Sequence, residues 1–378
     1  MNILFVIGEY SAFGGTEKIT TVLANAFIRQ GHSVSIACFR GKCEAAKFGL
    51  DPQVHGYSLE SIDLRSILVD RKIEVIINQW CLPFYVTRAI NRARKGLDVR
   101  LISALHGVPD RSKKVIVAED AVRATHGLRR VIAWFKLQLI HKVIRASIRY
   151  VYRQSDAYVV LSRGFIKSFQ DYTGLRNTPK LCAIGNPITI PTDYSRDYAS
   201  EKKKQILYVG RLDKENKRVN RIIEAWEAVY KDYPDWCLVL VGDGPHRKEL
   251  EEYVRLHGID RVVFTGFVKE EPIQYYRESA IFMLTSDLEG FGLVLVEAMS
   301  YGVVPIVYGS YVSVYDIIDN GINGFITPMP YSERETTNVL CRLMDSEPLR
   351  HKMSLSAVEK SKTFSMAAIL SQWDVKLA

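Results

Sequence analysis

Short uninterrupted apolar runs alternate with longer stretches of helical periodicity from one end of the chain to the other. Asn2–Gly8 reads as a buried strand, followed by a glycine-containing loop and a helix predicted over Glu17–Gln30, stopped by Gly31. Further strands are predicted at Ser33–Phe39, Val75–Asn78, Arg100–Ala104 and Ala157–Leu161. Near the middle the pattern restarts. Gln205–Gly210 repeats the character of the opening strand and leads through a polar loop into a helix over Asn220–Asp232. Strands at Cys237–Val241, Val262–Thr265, Ile281–Thr285 and Val304–Val307 complete a second set. Continuous apolar strands separated by helices belong to parallel sheets covered on both faces.

The fold class read from this pattern is α/β, with two Rossmann-like, doubly wound parallel-sheet domains facing a central cleft. The expected boundaries are residues 1–188 and 205–364, joined by a linker at 189–204 that the Asn186-Pro187-Ile188-Thr189-Ile190-Pro191 run introduces. A length of 378 residues suits two domains. Hydrophobic and charged fractions of 47% and 25% are those of a globular chain, which excludes a disordered one. Cys38, Cys43, Cys81, Cys182, Cys237 and Cys341 show neither a CxxC pair nor zinc spacing, so they read as thiols of a reducing compartment. The opening residues lack a basic leader, and the longest uncharged stretch, Ala298–Tyr315, is broken by Gly302, Pro305 and Gly309. A cytoplasmic location is therefore expected.

Charge changes this picture in one place. Between Ala121 and Ser155 stand Arg123, Arg129, Arg130, Lys136, Lys142, Arg145, Arg149 and Arg153 with no Asp or Glu, nearly the whole net charge of +9. Such a segment calls for an anionic partner. At 100° per residue Leu137, Leu139, Ile140, Val143, Ile144, Ile148 and Val151 share one side of a helix, and His141, Lys142, Arg145, Arg149 and Arg153 the other. Two readings stand side by side: a helix packed on the core with a solvated basic face, and a helix that docks at an anionic membrane with Trp134 and Phe135 at the interface. In the second, Arg129, Arg130, Lys136, Lys142, Arg145 and Arg149 meet the membrane or a polyprenyl-diphosphate-linked or lipid A-type acceptor. No nucleic-acid motif accompanies the charge, so a nucleic-acid partner is not expected.

The strongest chemical signal is Ser286-Asp287-Leu288-Glu289-Gly290-Phe291-Gly292-Leu293 running on to Glu297. It follows a strand, its glycines let backbone approach a ligand, and the helix start favours a phosphate. Glu289 in the loop and Glu297 two turns into the helix can each accept hydrogen bonds from sugar hydroxyls. After the second domain's first strand, Gly210-Arg211-Leu212-Asp213-Lys214-Glu215-Asn216-Lys217 offers cations for a diphosphate. Such cations act hardest as a leaving diphosphate gains charge. Gly14-Gly15, ahead of the first helix, and His106, after Leu101–Ala104, are weaker candidates in the first domain. No GxGxxG and no acid ending the second strand occur, which disfavours NAD-dependent hydride transfer. No Asp-x-Asp occurs either, so neither a metal nor any other cofactor is expected and Arg and Lys must neutralise the diphosphate.

Together these motifs resemble the GT-B fold retaining glycosyltransferases of glycosyltransferase family 4. Glu289-Gly290-Phe291-Gly292 through Glu297 resembles the family's E-x7-E element, and Gly210-Arg211-Leu212 with Lys217 its diphosphate clamp. His106-Gly107, Asn186-Pro187 and Val241-Gly242-Asp243-Gly244-Pro245 fall at further family motifs. The resemblance implies that Glu289 contacts the transferred sugar, Glu297 the ribose, and Arg211 and Lys217 the diphosphate. By the same resemblance Phe267, at the Phe264–Val268 strand end, lies against the base, and His106 faces the reacting centre. Gly14, Gly15, Gly290, Phe291, Gly292 and Leu293 complete the donor contacts. The Arg-to-Lys spacing is a residue longer than the family pattern, so Lys214 competes with Lys217; the latter adjoins the helix start. The resemblance further implies transfer of a hexose or N-acetylhexosamine from a nucleotide-sugar, UDP foremost, with net retention. It also has the final helix, Ser365–Leu377, crossing back onto the first domain. A nucleotide-sugar 2-epimerase, a phosphorylase and an inactive carbohydrate-binding scaffold remain as alternatives of the same fold.

Overall fold

Branched and aromatic residues buried on both sides make the strands, and polar loops bearing Gly or Asn end them. The computed structural model describes residues 1–10, 14–41, 43 and 49–377. By its internal contacts the chain divides into two units, Met1–Asn186 joined by the end of the chain from Ile369, and Pro187–Ala368.

The first unit holds β1 (Asn2–Glu9), α1 (Gly15–Arg29), β2 (Ser33–Arg40), β3 (His55–Ser58), α2 (Leu64–Asp70), β4 (Val75–Asn78) and α3 (Phe84–Ala93). It continues through β5 (Arg100–Leu105), α4 (Lys113–Arg123), α5 (Gly127–Gln154), β6 (Ala157–Val160), α6 (Gly164–Thr173) and β7 (Leu181–Ala183). Its strands pair in the order β3-β2-β1-β4-β5-β6-β7, all parallel. The chain direction across the sheet therefore reverses between β1 and β4. On one face Leu4, Val6, Ile76 and Leu101 pack against Ile67 and Leu68 of α2 and Val86 and Ile90 of α3.

The second unit holds β8 (Lys203–Val209), α7 (Asn220–Glu227), β9 (Cys237–Val241), α8 (Arg247–Leu256), β10 (Val262–Gly266), α9 (Ile273–Glu278) and β11 (Ser279–Leu284). Then come α10 (Leu293–Ser300), β12 (Val304–Tyr308), α11 (Val314–Ile317), β13 (Phe325–Thr327), α12 (Glu333–Asp345) and α13 (Glu347–Ser361). Its parallel sheet runs β10-β9-β8-β11-β12-β13, and the reversal falls between β8 and β11. Both sheets are thus doubly wound. Crevices outside the carboxyl ends of the strands at such reversals are where ligands of these folds bind.

The last helix, α14 (Met366–Leu377), belongs to the first unit from Ile369 onward. There the Arg100 guanidinium donates to the carbonyls of Leu377 at 2.7 Å and Lys376 at 3.0 Å, filling acceptors that a helix end leaves open.

The basic segment folds differently from its predicted pattern. Ile144, Ile148 and Val151 of α5 are buried, but Leu139 and Val143 are 62% and 55% exposed. The cationic side is solvated only in part, with Lys142 and Arg153 exposed. The Arg149 Nε donates to the Thr173 carbonyl at 2.5 Å, and the Arg145 guanidinium lies 5.3 Å from the Tyr172 ring centre. His141 bonds the Tyr172 hydroxyl at 3.0 Å. Arg145 and Arg149 therefore hold α6 against α5, while Arg129, Arg130, Lys136 and Lys142 are exposed. The period was right, but α6 packs where solvent was expected. Among the described residues no helix is long and apolar enough to cross a membrane.

Candidate functional site

Three loops at the carboxyl ends of β8, β9 and β10 are bound together by backbone alone. Gly210 N–H donates to the Val241 carbonyl at 2.9 Å, Leu212 N–H to Asp243 at 3.0 Å, and Gly242 N–H to Gly266 at 3.0 Å. The chains approach so closely that a Cβ on Gly242 would sit 1.9 Å from the Gly210 carbonyl oxygen. The glycine there, at φ +135°, is what lets the strands' ends touch. The loop after β8 is shaped further by Asp213, whose carboxylate accepts from the N–H groups of Glu215 at 3.0 Å and Asn216 at 2.8 Å. The buried Tyr208 hydroxyl donates to the Arg211 carbonyl at 2.8 Å.

Across the sheet reversal stands the loop after β11, and the two loops are stitched together. Asn216 accepts from Asp287 N–H at 2.8 Å and donates its amide to the Leu288 carbonyl at 3.1 Å. Asp287 takes the Arg218 Nε and an Arg221 nitrogen, each at 2.6 Å. Arg221 is itself stacked between Tyr308 and Tyr331, 4.9 and 4.5 Å from their ring centres.

This frame brings Lys217 and Glu289 together: Lys217 Nζ donates to the Glu289 carboxylate at 2.6 Å, with side chains only 21% and 13% exposed. Lys214, by contrast, is exposed and pairs with Glu249 on α8. The guanidinium of Arg211 is exposed and has no ion-pair partner among the described residues. Gly292, at φ +91°, is the N-cap of α10, and no side chain caps that helix. Uncapped N–H groups and the helix dipole leave its first turn suited to an anion. Among the described residues the buried Tyr311 hydroxyl and Ser286 Oγ have no hydrogen-bond partner, and Tyr311 Oη lies 3.2 Å from where a Cβ on Gly292 would be. Burial and the neighbouring Glu289 charge push the Tyr311 hydroxyl well above its ordinary pKa, so it remains a neutral donor.

Glu297 is 3% exposed, one face down in α10, and it is engaged. Thr189 Oγ1 donates to one carboxylate oxygen at 2.5 Å and the Tyr276 hydroxyl to the other at 3.2 Å. Phe267, just beyond β10, is 60% exposed. Phe291 is buried and meets the Phe364 ring edge-on at 5.6 Å. It packs the loop and presents no open surface to a ligand.

In the first unit, the loop after β1 is described only from Gly14; Ser11, Ala12 and Phe13 lie outside the described residues. The Glu17 carboxylate folds back over Gly14, 1.8 Å from where a Cβ would be, and burial raises its pKa. Gly14 thus faces the protein's own acid. A polar cavity of about 270 Å³ at these strand ends is lined by Glu9, Thr16, Glu17, Arg40, Gln79 and Trp80. His106, directly after β5, bonds the Gln79 side chain through Nε2, and burial lowers its pKa to about 4, leaving a neutral imidazole.

The sequence reading missed Asn216, Asp287, Tyr276, Thr189 and Tyr311. Only Asp213-x-x-Asn216, a recognisable side-chain-capped turn, carried a local signal.

Two family models match nearly end to end: Glycosyltransferase Family 4 over residues 13–190 and Glycosyl transferases group 1 over residues 192–360. An uncharacterized glycosyltransferase of Haemophilus influenzae is 24% identical over 374 residues, covering 98% of each chain. The GalNAc-alpha-(1->4)-GalNAc-alpha-(1->3)-diNAcBac-PP-undecaprenol alpha-1,4-N-acetyl-D-galactosaminyltransferase of Campylobacter jejuni is 25% identical, covering 99% of this chain and 97% of its own. The Anabaena protein Alr3699/HepE, solved with UDP, superposes with a TM-score of 0.75 at 19% identity, over 100% of this chain and 99% of that one. Two doubly wound units, paired glutamates on the second and both matching family regions lead to one conclusion: the chain belongs to the GT-B fold glycosyltransferases, with a family 4 region followed by a group 1 region.

Proposed function

We propose that the protein moves a hexose or N-acetylhexosamine from a UDP-sugar to a polyprenyl-diphosphate-linked glycan, with retention and without a bound metal. The Lys217–Glu289 pair beside the uncapped start of α10 carries this reading. Glu289 keeps lone pairs for sugar hydroxyls while Lys217 balances its charge, and Lys217 and Arg211 neutralise the departing diphosphate. The helix start takes phosphate oxygens. Glu297 exchanges the Thr189 hydroxyl for the ribose diol, and Phe267 lies along the base. Gly14 and Gly15 remain candidates for the donor contacts, and His106 for the reacting centre.

Retention follows from attack on the face the diphosphate leaves: the acceptor oxygen bonds to the anomeric carbon, the bond to the phosphate oxygen breaks, and that phosphate takes the acceptor proton. The UDP in the Anabaena structure and the undecaprenol-linked substrate named for the Campylobacter relative support the choice of donor and acceptor. The family models and both relatives describe sugar transfer, which favours it over the epimerase, phosphorylase and scaffold alternatives. Exposed Arg129, Arg130, Lys136 and Lys142 support work at the anionic inner face of the cell membrane, each cation near the surface contributing about 1 kcal/mol.

Calorimetric titration with UDP, GDP and ADP, with no metal added, tests the donor assignment. Tight binding of UDP, weakened at least tenfold by Arg211→Ala, is the expected result. Failure of folded protein to bind any of the three would overturn it.

A further inference from the structure

Three cavities of the first unit share lining residues and together form one track. Helices α4 and α5 form a hairpin whose facing stripes recur at helical spacing: Val117 and Ala121 on α4, Ile132 and Ile140 on α5. The groove between them has a volume of about 880 Å³. Its cations are Lys114, Arg129 and Lys136, and the whole of α5 carries no acidic residue. Val117 and Ile132 remain 60% and 48% exposed, so among the described residues of the first unit this apolar surface is left open.

Lys114 also lines a second cavity of about 590 Å³, walled by Trp80, Phe84 and Tyr85 and reaching Arg40. Arg40 and Trp80 in turn line the polar cavity of about 270 Å³ at the ends of β1, β2 and β4, where Gln79 holds His106. Along the track the walls change from aliphatic to aromatic to polar. Two cations, Lys114 and Arg40, mark the junctions, and the Arg40 guanidinium lies 5.6 Å from the Trp80 ring centre.

We infer that this track binds one amphiphilic lipid lengthwise: a polyprenyl chain in the α4–α5 groove, its diphosphate between Lys114 and Arg40, and its first sugar beside Gln79 and His106. The sequence of walls matches the sequence of groups in such a molecule, and the cations stand where its charge falls. The twelve residues Arg129–Ile140 span about 17 Å, room for several isoprene units. The inference rests on the lipid-linked acceptor proposed above.

The test uses the full chain and geranylgeranyl diphosphate below its micellar concentration, beside inorganic diphosphate and anionic phosphatidylglycerol vesicles. The expected results are binding of the isoprenoid at least tenfold tighter than inorganic diphosphate, and a tenfold or greater loss in Ala121→Trp, which fills the groove. Ile132→Glu, which places a charge in it, must act likewise, and Lys114→Ala must weaken the diphosphate more than geranylgeraniol. UDP titration of each variant verifies folding. If the wild type binds isoprenoid and Ala121→Trp binds it equally well, the groove assignment falls and the lipid-linked acceptor stands. If the wild type binds only vesicles, or no isoprenoid at all while still binding UDP, the acceptor reading falls with it.

Discussion

Lys217 and Glu289 lie in loops 72 residues apart in sequence, yet their side chains meet at 2.6 Å where the second sheet reverses direction. Glu289→Gln keeps the shape and one hydrogen bond but removes the carboxylate. Transfer is expected to fall by about 10² to 10³, the scale of losing one aligned electrostatic contact, with UDP affinity changed less than threefold. Steady-state rates beside calorimetry distinguish the two. Turnover near the wild-type level would remove Glu289 from the sugar contact.

The contact of Gly242 with the Gly210 carbonyl allows no side chain. Gly242→Ala forces a Cβ into the space 1.9 Å from that oxygen and must separate the loops after β8 and β9. A cost of about 2–4 kcal/mol is expected in chemical denaturation, with weakened UDP binding because the Arg211 loop moves with it. Gly96→Ala, at an open position of the first unit at φ +77°, should cost less, since only backbone strain applies.

His106 is expected to stay neutral from pH 8 to about pH 5. Its folded pKa of about 4 lies below the ordinary 6.5, because burial disfavours the imidazolium. The unfolded chain therefore binds a proton that the folded chain refuses. The stability this represents is whole above about pH 6.5 and is lost as pH falls toward 4. Nitrogen-15 spectra of the ring through an acid titration measure it directly; a midpoint near 6.5 would contradict the burial argument.

Asp287→Ala leaves Arg218 and Arg221 without their shared acceptor. Arg221 is held between two tyrosines and cannot easily swing to water, so a largely buried guanidinium remains with the Thr285 carbonyl but no carboxylate. A loss of about 1–3 kcal/mol is expected in thermal unfolding, and UDP at saturating concentration should restore part of it by ordering both loops.

Strands buried on both faces were legible in the sequence to within one or two residues at each end. Val75–Asn78 and Cys237–Val241 have the predicted ends, because continuous apolar runs flanked by polar residues admit few other placements. The edge strands β3, β7 and β13 were not. His55-Gly56-Tyr57-Ser58 is half-exposed and mixed, and β7 and β13 have three residues each, held by one neighbour apiece. The candidate donor residues Arg211, Lys217 and Glu289 were nameable from the sequence, and the structure brings Lys217 and Glu289 together. Their support was not: the partners of Glu297 are Thr189 and Tyr276, distant residues whose meeting depends on packing that no local spacing encodes. Which of the apolar positions of α5 are covered was unreadable for the same reason, since that depends on the helix's neighbours: Ile144 and Ile148 are buried, Leu139 and Val143 exposed.

The division of labour among the cations of α5 has a consequence for motion in solution. With Arg145 and Arg149 committed to α6, four of the five exposed cations of α5, Arg129, Arg130, Lys136 and Lys142, fall in the first sixteen residues of a 28-residue helix, with Arg153 at its other end. The end with the four is where the peptide dipoles already sum to a positive pole, an arrangement that costs the helix stability. The first unit therefore carries a lopsided field around α5, one that would give it a torque as well as an attraction near a negative surface, over a range set by the Debye length of about 8 Å at physiological salt.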